Sequence, residues 1–295
     1  LNKIIILLRT QTGNDFSQYK ENTIYRRIER RMSVHLISTI ASYVNYLQKH
    51  PAEIEILFKE LLIGVTNFFR DSAVWEHLKN KVLPNMFAEL QHGQVLRAWV
   101  PACSTGEEAF TLAIIFKEAI EKTKLDKNFT LQIFATDLDS GAIEQARKGM
   151  YSTSIASDVS AARLNRFFVK TDNQYRINAE IREMVVFALQ NVIKDPPFTK
   201  LDILSCRNML IYMDTDLQKK LLSLFHYSLN QKGILILGTA ETNNDRKDFF
   251  TNVNSKFRIY QSTGSSKSEE LFNFPSSFSQ AKKNNVENKT KFKNL

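Results

Sequence analysis

Two carboxylates, Asp137 and Asp139, follow an apolar segment, residues 130–136, that predicts a buried β-strand. Parallel sheets often hold the ribose of a nucleotide-type ligand by an acidic residue at the end of the second strand. Asp139 comes before a predicted helix around residues 142–147, where a carboxylate is a favourable cap. We expect Asp137 to bind ribose hydroxyls. The alternative is that both aspartates only cap the helix.

A turn of small residues, 101–106, carries a second chemical signal. It follows the apolar segment 95–100, which predicts another buried strand, and a helix is expected to start at Glu107. Small side chains let a ligand approach the backbone, and free amides at a helix start can bind its polar groups. Gly106 is the only glycine here, so this is not the Gly-x-Gly-x-x-Gly of dinucleotide enzymes. The spacing favours a ligand-binding loop over an ordinary strand-to-helix turn.

Several other chemistries find no support in the residue pattern. The five histidines are scattered without the spacing of metal ligands, so we expect no metal site. Cys103 and Cys206 provide neither a disulfide framework nor zinc spacing, which favours a reducing cytoplasm. A serine or cysteine hydrolase would need a nucleophile elbow and a base, and neither is present.

The segment Asp195-Pro-Pro-Phe198 raises an alternative function. Adenine-N6 nucleic-acid methyltransferases carry a similar motif after a sheet strand, where it grips the amino group of a flipped base. In this chain the order is reversed, since the predicted strand at residues 201–206 comes after the motif. This order favours a loop fixed by prolines.

The net charge of +9 is unevenly distributed. Residues 1–36 hold seven Lys or Arg against three Asp or Glu, and residues 263–295 hold six against three. The middle of the chain is therefore near neutral, and we expect no nucleic-acid partner. No apolar run approaches the roughly 18 residues of a membrane span, so we expect no membrane insertion.

Four arginines, Arg26, Arg27, Arg30 and Arg31, recur at helical spacing within one segment. On a helix they fall on one side, with Ile24, Ile28 and Met32 as the buried stripe. Such a face is often only solvated. The sharper interpretation is a docking surface for an acidic partner helix or for phosphates.

The sequence pattern changes along the chain, which predicts two folded units. Residues 1–92 read as helical, and residues 93–262 alternate strands with helices, which predicts an α/β doubly wound sheet with a β-hairpin at about residues 165–180. Residues 263–295 are rich in Ser, Lys and Asn, which predicts a disordered tail or linker. The first residue is Leu1 and not Met, which suggests a piece of a longer polypeptide.

Across about residues 15–261 the chain resembles the CheR-type chemotaxis receptor methyltransferases. The sequences near residues 62–71 and 194–208 look most like those of family members that are fused to methylesterase and sensor domains. The resemblance implies an S-adenosylmethionine-dependent methyltransferase fold after an all-α domain, and transfer of methyl groups to receptor glutamates. It rests on motifs in order: TIYRRIERRM at 23–32, LIGVTNFFRD at 62–71, ACSTGEE at 102–108, ATDLD at 135–139, CRNMLIY at 206–212 and GTAE at 238–241.

The same resemblance implies a role for each matching residue. Gly64 stands where the family has an asparagine, which leaves a non-catalytic cofactor-binding signalling module as an alternative. The residues implied to contact the cofactor are Thr66, Arg70, Glu107, Asp137 (ribose), Asn191 and Val192 (adenine edge), Arg207 and Asn208. The pair implied to line the transfer site is Arg70 and Tyr212.

Two implied features concern partners. The basic face of Arg26, Arg27, Arg30 and Arg31 resembles the surface that docks on the acidic methylation helices of receptors. The hairpin loop, residues 170–174, is short and lacks glycine, whereas members that capture a receptor's C-terminal peptide have a longer, glycine-containing loop. We therefore expect a chemoreceptor-like partner in the cytoplasm and no binding of a receptor tail.

Overall fold

The computed structural model describes residues 1–62, 64–124, 129–243 and 248–264. The expected disordered tail lies outside the described residues except for its first two positions. Among the described residues, no helix is long and apolar enough to cross a membrane.

The N-terminal part is a bundle of four helices with its own hydrophobic core. In the second helix, Ile24, Ile28 and Met32 recur every four residues and are all buried, as the apolar stripe predicts. The fourth helix begins at Pro51, where the missing backbone N–H costs nothing. The helices are α1 (Asn2–Thr12), α2 (Glu21–Val34), α3 (Ile40–Lys49) and α4 (Pro51–Leu61).

Three consecutive helical segments follow and pack on the sheet. They are α5 (Ser72–His77), a π-helical stretch (Leu78–Val82) and α6 (Leu83–Glu89). Trp75 and Phe87 are buried in the same core as the strands, and not in the core of α1–α4. A domain boundary at residue 92 stays a prediction, while the hydrophobic cores divide before residue 68.

A seven-stranded sheet forms the centre of the remaining chain. Its order is β6-β2-β1-β7-β8-β10-β9, with the first five strands parallel and β10 antiparallel to both neighbours. The chain runs outward from β1 in one direction and then returns to β7 on the other side. The strands are β1 (Val95–Pro101), β2 (Thr130–Asp137), β6 (Val185–Leu189), β7 (Leu201–Cys206), β8 (Leu229–Leu237), β9 (Phe250–Asn254) and β10 (Ile259–Ser262).

Helices cover both faces of this sheet, as the continuous apolar strands predict. One core contains α7 (Glu107–Thr123) and α8 (Ser140–Lys148), and the other contains α11 (Thr215–Ser228). Trp99 of β1 is fully buried and donates a hydrogen bond from Nε1 to Thr136 Oγ1 at 2.9 Å. These layers confirm the predicted α/β methyltransferase-type architecture behind an all-α domain.

The predicted hairpin is present as part of a three-stranded antiparallel sheet of order β3-β5-β4. β4 (Phe168–Lys170) and β5 (Gln174–Ile177) are the predicted strands, whereas β3 (Met150–Ser152) was not predicted. Two short helices, α9 (Ala161–Phe167) and α10 (Ala179–Arg182), flank the hairpin. Phe68 packs edge-on against Tyr151 and Phe168, with ring centroids 4.8 and 5.4 Å apart, and so joins this sheet to the segment before α5.

Candidate functional site

A cavity of about 390 Å³ lies at the carboxyl ends of β1, β2, β6 and β7. The strand order reverses between β1 and β7, and open α/β sheets bind ligands at such a point. Residues of the helical bundle and of the connection to α5 form the opposite wall. The predicted residues that line the cavity are Thr66, Arg70, Asp137, Asn191, Val192, Arg207, Asn208 and Tyr212.

The turn after β1 lines the cavity, and several of its residues adopt left-handed backbone conformations. Ala102, Ser104 and Gly106 have φ angles of 53°, 50° and 95°. At Gly106 a Cβ would lie 3.0 Å from the Phe187 ring and 3.1 Å from Ala146, so glycine satisfies both the φ angle and the close packing. The turn therefore curls tightly before α7 begins at Glu107.

Asp137 ends β2 and is held in place by this turn. Its Oδ2 accepts a hydrogen bond from the Ser104 amide at 2.7 Å, and its Oδ1 accepts one from the Asp139 amide at 2.9 Å. Burial raises the pKa of this carboxyl, and the two amide bonds oppose the rise. Asp139 caps α8, since its Oδ1 accepts from the Gly141 amide at 2.8 Å. Asp137 is thus a fixed acceptor with lone pairs still available to a ligand.

The structure differs from expectation at Glu107. Its side chain is buried outside the cavity lining, and its two carboxylate oxygens share the single hydroxyl proton of Thr105, whose Oγ1 lies 2.9 and 2.7 Å from them. The neighbouring Glu108 lines the cavity and accepts a hydrogen bond from Ser205 Oγ at 2.7 Å. Successive helical residues point about 100° apart, so only one of the two glutamates can face β7 and the cavity.

Arg207 directly follows β7, and its side chain is fully buried. It donates a hydrogen bond to Asp71 Oδ2 at 2.6 Å, and its Nη1 lies 3.6 Å from Glu108. Its guanidinium lies 5.2 Å from the centre of the Trp75 ring. Arg207 therefore both lines the cavity and ties the start of α5 to the sheet.

The connecting segment between the two cores supplies Thr66 and Arg70 to the cavity. Arg70 Nη1 donates to the Val65 carbonyl at 3.1 Å. Gly64 accepts a hydrogen bond from Ser104 Oγ at 3.2 Å, and a Cβ on Gly64 would lie 3.1 Å from that oxygen. The residue that differs from the family pattern is thus fitted to the turn after β1.

The loop after β6 forms another wall. Asn191 Oδ1 accepts from the Ile193 amide at 2.9 Å, while its Nδ2 donates to Asn14 Oδ1 of the helical bundle at 2.8 Å. Asp195 Oδ2 accepts from the Asn191 amide at 2.7 Å. Val192 is partly buried against the second core of the sheet. This loop is therefore held in a defined shape beside the cavity.

The loop after β7 completes the lining with Asn208 and Tyr212. Glu241 fixes this loop, since its Oε2 accepts from the amides of Asn208 and Gly238 at 2.9 and 2.6 Å. Asn208 has a φ of 62°, and its Oδ1 is buried without a hydrogen-bond partner among the described residues. A buried acceptor of this kind is available to a ligand.

The residue pattern gave no signal for Tyr19, which also lines the cavity. It lies between two helices, where neither a strand end nor a helix start marks a site. Glu108 was missed for another reason, because the sequence alone does not say which of two adjacent glutamates faces the strands.

The Asp195–Phe198 motif does not line the cavity. Phe198 stacks on Phe134, with ring centroids 4.4 Å apart and planes at 15°, and the Pro196 carbonyl accepts a hydrogen bond from Gln190. These contacts agree with a proline-fixed structural loop.

The predicted docking face on α2 differs from expectation at one residue. Arg26 and Arg30 are exposed and Arg27 is half-buried. Arg31 turns inward, where it donates from Nε and Nη2 to the two carboxylate oxygens of Glu53 at 2.8 and 2.7 Å. A buried carboxylate needs a paired cation, and this need decides the orientation of Arg31.

The cavity is rich in acceptors. Asp137, Asp139 and Glu108 line it together with Arg70 and Arg207, and the side-chain oxygens of Gln190 and Asn208 lack partners among the described residues. A ligand that carries positive charge and hydroxyl or amino donors fits this lining. S-adenosylmethionine has a sulfonium, an ammonium, a ribose and an adenine amino group, and so meets this requirement.

Two family models match nearly all of the described chain. "CheR methyltransferase, all-alpha domain" matches residues 1–62, and "CheR methyltransferase, SAM binding domain" matches residues 64–259.

Curated relatives agree with these matches. An "Uncharacterized 104.1 kDa protein in hypE 3'region" of Rhodobacter capsulatus is 40% identical over 88% of this chain, which spans 27% of that relative's length. "Chemotaxis protein methyltransferase 1" of Pseudomonas aeruginosa is 30% identical, over 84% of this chain and 92% of the relative. "Chemotaxis protein methyltransferase" of Borreliella burgdorferi is 28% identical, over 82% and 87%.

Proposed function

The chain belongs to the CheR methyltransferase family, with S-adenosylmethionine as cofactor, and we propose that it esterifies glutamate side chains of a chemoreceptor-like protein in the cytoplasm. The names of its relatives support a role in chemotaxis. The observation that carries the acceptor assignment is the position of Arg70 and Tyr212 on one cavity with Asp137.

The chemistry needs little from the protein beyond alignment. When bound, S-adenosylmethionine supplies a methyl group on a positively charged sulfur. A glutamate has an ordinary pKa of about 4.3 and is already ionised at neutral pH, so it can attack that methyl without a general base. An ester forms, the carbon–sulfur bond breaks and both charges disappear. The reaction therefore requires no acid–base pair in the cavity.

Arg70 and Tyr212 are proposed to hold the incoming carboxylate. The planar fork of an arginine matches the two oxygens of a carboxylate. Tyr212 can add a hydrogen bond, or its ring can face the positively charged sulfur. Alignment of the reactants can lower the activation barrier by about 7–11 kcal/mol, so loss of either side chain should strongly reduce the rate of methyl transfer.

The proposed partner surface is the outward side of α2, with Arg26 and Arg30 exposed and Arg27 half-buried. Positive side chains there would attract acidic methylation helices and raise the rate of encounter more than the affinity. Arg31 is excluded from this surface by its pair with Glu53. The short hairpin loop supports the further proposal that no receptor tail is bound.

The test uses labelled S-adenosylmethionine and a receptor signalling fragment. Methyl esters release methanol in alkali, whereas N6-methyladenine does not, so the released label identifies the acceptor chemistry. We expect alkali-labile label with the wild type and at least a 100-fold loss with Arg70→Ala. Arg166→Ala is the control, since its exposed guanidinium pairs with Glu121 and neither residue lines the cavity.

The outcomes separate the alternatives. Alkali-stable label on DNA would support the adenine-N6 function instead. Tight cofactor binding without transfer to any receptor fragment would support the non-catalytic signalling module.

A further inference from the structure

Tyr19 lies in the segment between α1 and α2, and this segment is fastened to the loop after β7. The Lys20 amide donates to the Tyr212 carbonyl and the Asp214 amide to the Gln18 carbonyl, both at 2.9 Å. Tyr19 and Met213 form an antiparallel bridge between these bonds. The backbone of Tyr19 is therefore positioned by the same loop that carries Tyr212.

The same segment also contacts the loop after β6. Asn14 Oδ1 accepts a hydrogen bond from Asn191 at 2.8 Å, and the Lys194 ammonium group donates to the Gly13 carbonyl. Residues 13–20 thus bridge two loops on different sides of the cavity. The helical bundle supplies part of the cavity wall through this segment.

The Tyr19 side chain faces the cavity together with Asp137. Its ring rests against Phe16, with centroids 4.8 Å apart, which leaves few alternative orientations. Burial first, and then the nearby charge of Asp137, raises the pKa of the Tyr19 phenol to about 12. The hydroxyl is therefore protonated at neutral pH, and no other described residue accepts a hydrogen bond from it.

We propose that Tyr19 is a further cofactor-binding residue, whose hydroxyl bonds the ribose that Asp137 also holds. A ribose hydroxyl can donate to a carboxylate and accept from a phenol at the same time, so the two side chains are complementary. The role concerns binding of the cofactor and is independent of the methyl acceptor.

The experiment is calorimetric titration of the full chain with S-adenosylhomocysteine, comparing wild type with Tyr19→Phe. The phenylalanine keeps the ring contact with Phe16 and all backbone bonds of the segment. We expect about 3- to 10-fold weaker binding, the range of one hydrogen bond. Tyr25→Phe is the matched control, since Tyr25 is 41% exposed on α2 and should bind as wild type.

Two further measurements make the result specific. The unfolding midpoint without ligand should be the same for wild type and Tyr19→Phe, while the shift caused by ligand should be smaller for the variant. With analogues that lack the 2′ or the 3′ hydroxyl, one analogue should abolish the difference between the two proteins.

Equal affinity of Tyr19→Phe and wild type would overturn the proposal, as would absence of binding by the wild type. A difference that persists with both deoxy analogues would overturn the ribose contact. Methyl transfer plays no part in these measurements, so failure of the glutamate assignment would give a separate result.

Discussion

The guanidinium of Arg207 lies 2.6 Å from the carboxylate of Asp71, and this pair joins the end of β7 to the start of α5. Thr66 and Arg70 precede Asp71 by only a few residues, so the pair also positions the segment that covers the cavity. Asp71 has a φ of 56°, a left-handed conformation that a buried partner helps to maintain. Arg207 is thus a structural link as well as a cavity residue.

Substitution of Arg207 should therefore reduce both stability and cofactor binding. Arg207→Ala leaves the partly buried Glu108 without the cation that lies 3.6 Å away, and loss of one partner of a buried pair costs about 3–5 kcal/mol. Arg207→Lys should not restore the wild type, since an ammonium cannot bridge two carboxylates in the same plane. Urea unfolding and titration with S-adenosylhomocysteine measure the two effects.

Asp71→Asn is the comparison for this prediction. The Asp71 side chain is 36% exposed, so its substitution should cost less than that of Arg207. Wild-type stability of Arg207→Lys would contradict the structural role.

Substitutions of the two adjacent glutamates of α7 should have clearly different effects on cofactor affinity. Glu108 lines the cavity, and Glu108→Gln should weaken binding of S-adenosylhomocysteine at least 10-fold, in line with loss of a charged acceptor. Glu107→Gln should bind within about twofold of wild type, as expected for a side chain bonded to Thr105 outside the cavity. The opposite ranking, measured by calorimetry, would return Glu107 to the site.

Glu107 should also affect the pH dependence of stability. Burial raises the pKa of the Glu107 carboxyl, so the folded state disfavours its charged form. The stability that the protonated group contributes is present at low pH and is lost as the pH rises through the folded pKa. Relative to wild type, Glu107→Gln should therefore gain stability as the pH rises above the ordinary value of 4.5. Parallel pH profiles of the two proteins in urea unfolding would contradict this.

Which residues share the cavity could be predicted where a residue lies at the end of a buried strand. Asp137 ends β2, Asn191 and Arg207 follow β6 and β7, and the parallel arrangement brings such positions to one edge. Period and polarity also identify α2 and the hairpin. The strands β3 and β9 have too few residues, or too exposed a pattern, to show a periodic signal.

The remaining differences depend on tertiary contacts that no local pattern encodes. Tyr19 reaches the cavity because residues 13–20 bond to loops nearly 200 residues later in the chain. Arg31 leaves the basic face because Glu53, on another helix, is buried opposite it. In both cases the partner is determined by how helices pack, whereas helical spacing shows only which residues share a side.

Asp137 should control cofactor affinity in a pH-dependent way. Charge-assisted hydrogen bonds contribute about 1.5–3 kcal/mol, so Asp137→Ala should weaken S-adenosylhomocysteine binding about 10- to 150-fold. Because burial raises the pKa of this carboxyl, wild-type affinity should begin to fall at a higher pH than for an exposed aspartate. Asp172→Asn, in the exposed hairpin turn, should change neither the affinity nor its pH profile. Unaltered binding by Asp137→Ala would remove Asp137 from the cofactor site.

Glu53 should stabilise the helical bundle at neutral pH and cease to do so in acid. Burial alone would raise its pKa, but hydrogen bonds from Arg31, His35 and Tyr43 outweigh this and lower the pKa to about 2. A lowered folded pKa contributes stability above the unfolded value of about 4.5, and the contribution is lost as the pH falls toward 2. Glu53→Gln and Arg31→Ala should each cost about 3 kcal/mol at pH 7, and the deficit of Glu53→Gln should shrink below pH 4.5. Arg30→Ala is the matched control on the same helix. Arg30 is 63% exposed and lies 3.7 Å from Glu60, so this substitution should change the free energy of unfolding by less than about 1 kcal/mol. A larger loss with Arg30→Ala than with Arg31→Ala, measured by urea unfolding, would mean that Arg31 belongs to the exposed basic face after all.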